Sequence, residues 1–404
     1  MELYRASFKK KSSWSTLLLL IGIIFIGANL RAPLTAVGSL IPFIRDDLHM
    51  ANALAGTITT VPLLAFALIS PLAPKLARKR GMEQAIFISL LLLAAGMILR
   101  SLSGLTLLFA GTILIGCAIA VSNVLLPGFI KTKFPRGVGI MTGIYSVFMN
   151  LFGALSSGIS VPLSEWHGFG WRGALVFWVL LTVTAMIIWI PQLIKSNKPH
   201  PIKDAALEGK SIWKSPLAWK VTIFMGAQSL IFYTMMTWLP DLLQLRGYSN
   251  SSAGWMLSLM QFALIPVTFF IPIIADKMKN QQPLAIGTAA FYFVGIAGLL
   301  FSNAFLTVVW IIMIGIASGS AFSLSMMFFT LRTESSGEAA ELSGMAQSFG
   351  YLLASIGPVL FGALHDFTHS WTLPIIMLLI NTLLFLYVGI GAAKPGKVRN
   401  VSQS

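Results

Sequence analysis

"LIPFIRDDLHMANALAG" (Leu40–Gly56) lies over "WLPDLLQLRGYSNSSAG" (Trp238–Gly254) without a gap. Pro42 falls on Pro240, and Ala55-Gly56 falls on Ala253-Gly254. Two later pairs keep nearly the same offset: "LIGCA" (Leu114–Ala118) with "MIGIA" (Met313–Ala317), and "GIYSVFMNLFGAL" (Gly143–Leu155) with "GMAQSFGYLLASI" (Gly344–Ile356). Apolar strings resemble one another cheaply, so no single pair decides anything. Several pairs in the same order at a nearly constant offset mean that the chain is written twice.

Each copy is made of apolar helices. The 404 residues are 56% hydrophobic and 10% charged, with a mean hydropathy of +0.83; a soluble domain carries about 25% charged residues. Stretches of about 20 apolar residues predict twelve spans, beginning near Leu17, Asn52, Gln84, Leu105, Val138, Trp171, Leu217, Ser251, Pro283, Phe305, Leu342 and Trp371. The longest polar break, Lys195–Pro216, separates six spans from six. The expected organisation is an N-terminal half (1–194), a linker (195–216) and a C-terminal half (217–404). The third, sixth, ninth and twelfth spans are the most uniformly apolar and are expected to face lipid. An all-α membrane protein with two six-helix halves follows.

The net charge of +15 does not point to nucleic acid, because its placement alternates with the spans. Arg45, Arg100, Arg172 and Arg246 fall on one side of the predicted membrane and Arg31 within it, while every other Lys and Arg falls on the opposite side. This positive-inside bias puts both termini in the cytoplasm. The basic start, "MELYRASFKKKSSW", precedes a long apolar stretch without a small-residue cleavage site, so it reads as a retained first span. Cys117, the one cysteine, excludes a disulfide within the chain and reads as a small buried hydrophobe.

"GANLRAPLTAVG" (Gly27–Gly38) carries the most informative residue, Arg31. Counted from Ser15, it lies about 24 Å along a helix, near mid-membrane. A central Arg opposes insertion by about 2.5–3.5 kcal/mol, the contribution of about five to eight leucines. The bland reading is that Arg31 donates to backbone carbonyls. Pro33 has no N–H, which strips the Asn29 carbonyl of its helical donor. The functional reading is solute contact: the thirteen Asp and Glu fall in predicted loops or at span ends, and a fixed cation away from fixed anions suits a mobile one. Asn29 sits about 200° round an ideal helix from Arg31, so both face one cavity only if the helix departs from regularity near Pro33.

Gln228 occupies the repeat position of Asn29, which suggests a two-sided amide clamp; ordinary interhelical hydrogen bonding is the alternative. The fifth span aligns Ser146, Asn150, Gly153 and Ser157 on one face, and the eleventh repeats that face as Gln347, Tyr351, Ala354 and Pro358. Asn150, Tyr351, Gln347 and the central Gln261 are candidate solute ligands, whereas Gly153 and Ala354 read as packing residues. Tyr145 and Trp238 offer rings to a planar solute, or serve as core aromatics. "EGKS" (Glu208–Ser211) lacks the upstream Gly of a phosphate loop. His365 and His369 have no further ligands nearby in sequence. No metal, cofactor or catalytic set is expected.

"PIIADKMK" (Pro272–Lys279) resembles the loop motif that follows the second span of each half in the major facilitator superfamily, Gly-x-Leu-Ala-Asp-Arg. In the first-half copy, "PKLARKRG" (Pro74–Gly81), Arg78 replaces the usual Asp. Arg78, Asp276 and Lys277 are therefore candidate gating-loop residues. Thr112 stands about where proton-coupled members carry Arg. More specifically, "GANLRAPLTAVGSLIPFIRDDL", "GTILIGCAIAVSNVLLPGFIKTKFP" and "GMAQSFGYLLASIGPVLFGALHD" resemble the cyanate and 2-nitroimidazole porter family, with Arg31 in its Asn-Leu-Arg-x-Pro motif. That resemblance implies secondary transport of a small anion or of a neutral planar heterocycle. The expected mechanism is alternating access in a bacterial-type plasma membrane by a functional monomer, with the halves rocking about a site formed by Arg31, Asn29, Asn150, Gln228, Gln261 and Tyr351. The lipid bilayer and a small solute are the expected partners. A membrane solute sensor, the rival of another class, needs an output module that the short linker cannot hold.

Overall fold

The structure, a computed structural model, describes residues 2–50, 52–195, 211–244, 246–301 and 304–399. Of the expected linker, 196–210 lie outside them. The described residues form helices and no strand. In chain order these are α1 (Glu2–Asn29), α2 (Ala32–Gly38), α3 (Ile41–Asp47), α4 (Asn52–Ile69), α5 (Ala73–Arg80), α6 (Met82–Arg100), α7 (Leu105–Lys133) and α8 (Val138–Glu165). There follow α9 (Gly170–Phe177), α10 (Val179–Lys195), α11 (Pro216–Gln244), α12 (Asn250–Lys277), α13 (Gln282–Gly298), α14 (Ala304–Leu331), α15 (Ser336–Thr368) and α16 (Thr372–Ala393).

Among the described residues, ten helical stretches are long and apolar enough to cross a membrane. The apolar α13, 17 residues long, and α11, 29 residues long, complete the twelve expected. Two spans differ from the continuous helices the sequence suggests. The first breaks at Leu30–Arg31, and the short α2 and α3 follow, each with a proline in its first turn, where the missing N–H is harmless. The sixth starts as α9 and is interrupted at Trp178 before α10 resumes. Cys117 is half-buried rather than buried.

By contacts the chain divides into two compact units. One comprises Met1–Ala65, Lys75–Leu125 and Ile144–Lys203, and the other Phe66–Pro74, Leu126–Gly143 and Asp204–Ser404. The sequence repeat reappears inside each unit as the same helix contacts. A Cβ on Gly96 of α6 would lie 3.0 Å from the Gly111 carbonyl oxygen and the Ile115 nitrogen of α7. Its repeat mate Gly295 of α13 meets the Trp310 carbonyl at 3.0 Å and the Ile314 nitrogen at 3.3 Å on α14. Likewise Gly116 abuts Pro62 and Ala65 of α4, and Gly315 abuts Met260 and Ala263 of α12. Small residues let backbones approach this closely where lipid offers no hydrophobic drive.

The outward face of the sixth span is apolar. Leu180, Val183, Ile187, Ile190 and Ile194 of α10 are exposed at helical spacing, as a lipid-facing stripe requires. Ile376, Ile380, Leu383 and Tyr387 repeat this on α16. The inner faces of the same two helices are each tied by one buried asparagine. Asn29 of α1 donates to the Leu181 carbonyl of α10 (3.3 Å). In the other unit Asn381 of α16 donates to the Ala227 carbonyl of α11 (2.9 Å). The joint is the same, with the asparagine moved to the opposite helix.

Candidate functional site

The site is built around the break in the first span. With Pro33 unable to donate, the helical ladder fails one turn upstream, and Arg31 leaves the helical region of backbone space with φ −124° and ψ −41°. Its carbonyl then starts α2, accepting from the amides of Leu34 (3.0 Å) and Thr35 (3.1 Å). The departure from regular helix that a shared facing of Asn29 and Arg31 requires is therefore present. Thr35 fastens the new segment to α8: its hydroxyl lies 2.9 Å from the Gly153 carbonyl and 2.6 Å from Ser156 Oγ.

The Arg31 stem crosses α8 at Gly153. A Cβ there would come within 2.7 Å of Arg31 Cγ, so only glycine leaves the arm its path. Asn150 lies one turn away on the same face of α8. It is half-buried, and its amide donates to the Ser146 carbonyl of its own helix (2.8 Å). Arg31, Asn150 and Gly153 are thus brought together.

Asn29 is not brought to that face. It is 1% exposed, donates to the carbonyls of Phe25 (2.8 Å) and Leu181, and accepts from Thr182 Oγ1 at 2.5 Å. Its amide is occupied by helix packing, the alternative that the sequence left open. Tyr145 is fully buried against Gly27, whose Cβ would lie 2.9 Å from the Tyr145 carbonyl.

Of the candidates of the other unit, Gln228 and Trp238 lie on α11 and Gln347 and Tyr351 on α15, two helices that cross. Gly226 and Gly350 meet there backbone to backbone. Gln228, buried beside the crossing, donates to Ser229 Oγ (2.6 Å). Gln347 is fully buried and donates to Ser343 Oγ (2.8 Å). Tyr351 lies in an aromatic cluster, its ring centroid 5.2 Å from Phe66 and 6.3 Å from Tyr233. Gln261 is half-buried on α12. Trp238 closes the far end of the crossing: it lies on Gly362, donates to the Pro358 carbonyl (2.8 Å) and stands 5.9 Å from Trp371.

The loop residues differ between the copies. Asp276 Oδ2 accepts from the Gly139 amide (3.2 Å) in the first turn of α8, where an anion meets the positive end of the helix dipole. Gly139 has no room for a side chain, since a Cβ would lie 2.5 Å from the Pro272 carbonyl. Lys277 beside it is exposed. Arg78 stands in the last turn of α5, where a cation suits the negative end of that helix. The N-terminus of α15 is capped locally: Ser335 Oγ accepts from the Glu338 amide (3.1 Å), and Glu338 Oε2 accepts from the Glu334 amide (2.9 Å).

The family model described as "Major Facilitator Superfamily" matches residues 17–358. The chain belongs to the major facilitator superfamily. Among its relatives is the "Uncharacterized transporter YycB" of Bacillus subtilis, 46% identical over 98% of this chain and 96% of that one. The "2-nitroimidazole transporter" of Escherichia coli is 41% identical over 96% and 98%. The "Cyanate transport protein CynX" of the same organism is 24% identical over 91% and 97%. The fold matches that of the proton:xylose symporter XylE with a TM-score of 0.76 at 12% identity, over 95% of this chain and 98% of that one. The protein is therefore a multi-pass membrane transporter of the major facilitator type, not an enzyme.

Several residues of this major facilitator escaped the sequence reading. Arg100, counted with the loop charges, is 1% exposed at the end of α6. Thr35, Ser156 and Phe66 carried no signal beyond ordinary span composition. A second buried arginine, Arg332, reaches from the α14–α15 turn to the carbonyls of Ala392 and Ala393, both at 2.8 Å. Burial pulls its guanidinium down to about 10, still well above neutrality, so it stays charged.

Proposed function

We propose that this chain moves a small anion, or a solute with a strongly electronegative group, across the plasma membrane by alternating access, with Arg31 as the solute-contacting cation. The observation that carries this reading is the seat of Arg31 in a helix break, with its stem in the notch of Gly153 and Asn150 one turn away on α8. A break of this kind takes an arginine off the regular helix face, and an ionisable residue at this depth is a functional residue by default. In this reading Arg31 supplies charge and Asn150 supplies a hydrogen-bonding amide, while Asn29 keeps the first span in place. Gln228, Gln261, Gln347 and Tyr351 are further candidate solute ligands, carried by α11, α12 and α15.

The cyanate and 2-nitroimidazole named for two relatives are an anion and a neutral planar ring, which frames the choice. A second reading, export of neutral planar heteroaromatics, draws on the rings of Phe66, Tyr351 and Tyr233, because stacked and edge-on rings favour flat solutes. The positive-inside bias supports cytoplasmic termini, and each chain is proposed to work as a monomer.

The test is thermal unfolding of the purified protein with cyanate, benzoate and 2-nitroimidazole, for the wild type and Arg31→Gln. A solute that binds only the folded state adds about 2.7 kcal/mol at a hundredfold excess over Kd. Stabilisation of wild type, but not of a folded Arg31→Gln, by an anion supports the reading. Equal stabilisation of both by 2-nitroimidazole alone transfers the assignment to the exporter.

A further inference from the structure

Arg100 has a place in the first unit that its sequence position conceals. It ends α6, is 1% exposed, and donates from Nη1 to the Pro33 carbonyl at 2.9 Å. Its Nε and Nη2 make no hydrogen bond among the described residues. A buried guanidinium held by one bond is a poor device for stability, since an apolar side chain of similar volume commonly does as well or better. What the bond holds is more telling. Pro33 lies two residues beyond Arg31, at the start of α2.

The seven-residue α2 is far too short to persist by its own hydrogen bonds. Upstream, Pro33 has removed the amide that would tie α2 to the last turn of α1. The segment is therefore held from the sides: by Thr35 against Gly153 and Ser156 of α8, and by Arg100 of α6 at Pro33. The backbone of Arg100 is itself fixed. A Cβ on Gly111 of α7 would lie 2.3 Å from the Arg100 nitrogen and 2.5 Å from the Gly96 carbonyl, so α6 and α7 touch through their backbones there. A rigid connection thus runs from the α6–α7 crossing through Arg100 to the residues just after Arg31.

We propose that Arg100 is a positioning residue: by gripping the Pro33 carbonyl it sets the direction in which the break presents Arg31 to the solute. The presentation of Arg31 to a solute rests on the function proposed above; the grip on α2 does not. Arg100 touches no solute, and its effect passes through the Leu30–Pro33 turn.

Two measurements on the full-length protein separate these layers. The first is hydrogen–deuterium exchange over residues 30–38 in wild type, Arg100→Met and Arg100→Lys, without solute. Arg100→Met speeds exchange there by roughly tenfold or more, the scale of one charge-assisted hydrogen bond, while exchange in α10 and α16 is unchanged. Arg100→Lys, which keeps a donor, restores part of the protection. Unchanged exchange over 30–38 in a folded Arg100→Met overturns the proposal, as does an equal rise throughout the unit.

The second measurement is the affinity for cyanate, benzoate and 2-nitroimidazole in wild type, Arg31→Gln, Arg100→Met and the double variant. Arg100→Met weakens the binding of the solute that wild type takes, by about tenfold, and adds nothing in the Arg31→Gln background. Independent, additive losses would overturn a route through Arg31. If Arg31→Gln binds as wild type does while the exchange result stands, the solute reading of Arg31 fails and the grip of Arg100 on α2 survives.

Discussion

At the scale of single residues, Asn29 and Gly153 exchange the roles their types suggest. An asparagine deep in a membrane span looks like a ligand, yet Asn29 is absorbed by Leu181 and Thr182 of α10. A glycine looks like passive packing, yet Gly153 is what lets the Arg31 stem pass. Paired variants should therefore behave oppositely. Asn29→Ala removes interhelical bonds that average about 0.6 kcal/mol and reach about 1.7 kcal/mol in membrane proteins, so thermal stability falls and solute affinity stays. Gly153→Ala forces the Arg31 stem aside, an overpacking worth about 1–3 kcal/mol, and solute affinity falls with stability. Equal affinity in Gly153→Ala and wild type would break the link between the notch and solute binding.

At the scale of elements, the two copies of the repeat cap their corresponding helices by different means. The start of α8 uses Asp276, reaching over from the end of α12, whereas α15 uses its own Ser335 and Glu338. The loss of the motif acid at Arg78 therefore coincides with a helix in the other copy that caps itself. The basic tail adds to the same region. Lys397 donates to the carbonyls of Leu331 and Thr333 at 3.0 Å, and Arg399 pairs with Glu341 at 2.9 Å. Lys397 also lines a 430 Å³ cavity together with Lys131, Asp276 and Glu334.

The two capping devices should differ in salt dependence. Asp276→Asn keeps an acceptor and loses only charge at an exposed helix end, about 0.3–1 kcal/mol at low ionic strength, and the difference shrinks in high salt. Ser335→Ala loses a neutral cap, about 0.5–2 kcal/mol, at any salt concentration. Thermal unfolding of both variants in low and high salt reads this directly, and a salt-insensitive Asp276→Asn would remove the dipole from the account.

At the scale of the whole molecule, the charge asymmetry of the loops is the property that bears on orientation. With the native thiol removed by Cys117→Ser, Lys79→Cys in the last turn of α5 should be shielded from an impermeant thiol reagent in intact cells and labelled after lysis. Leu102→Cys, in the exposed turn between α6 and α7, should be labelled in intact cells. Labelling of Lys79→Cys from outside would reverse the orientation drawn from the Lys and Arg distribution.

What the sequence by itself determined is set by terms that act locally or in sum. Twelve apolar stretches follow from the poor solubility of peptide groups in hydrocarbon, which only helices overcome within a single segment. The repeat shows in Gly116 and Gly315, within "LIGCA" and "MIGIA", because the same helix contacts recur. The weak point near Arg31 was legible because a proline removes one amide at one known place; that the helix breaks there is what the structure adds.

Only the tertiary structure decided which polar side chains are bound to neighbouring helices and which are not. An amide looks the same in sequence whether its helix turns it toward α10, as for Asn29, or leaves it half-buried on α8, as for Asn150. Arg100 shows the same limit at a span boundary. The apolar run places it where the membrane ends, but the closeness of Gly96 to Gly111 and the bend at Pro33 are what enclose it. Helical periodicity fixes a side chain's direction about its own axis, and the direction of the neighbour is a matter of packing between segments far apart in the chain.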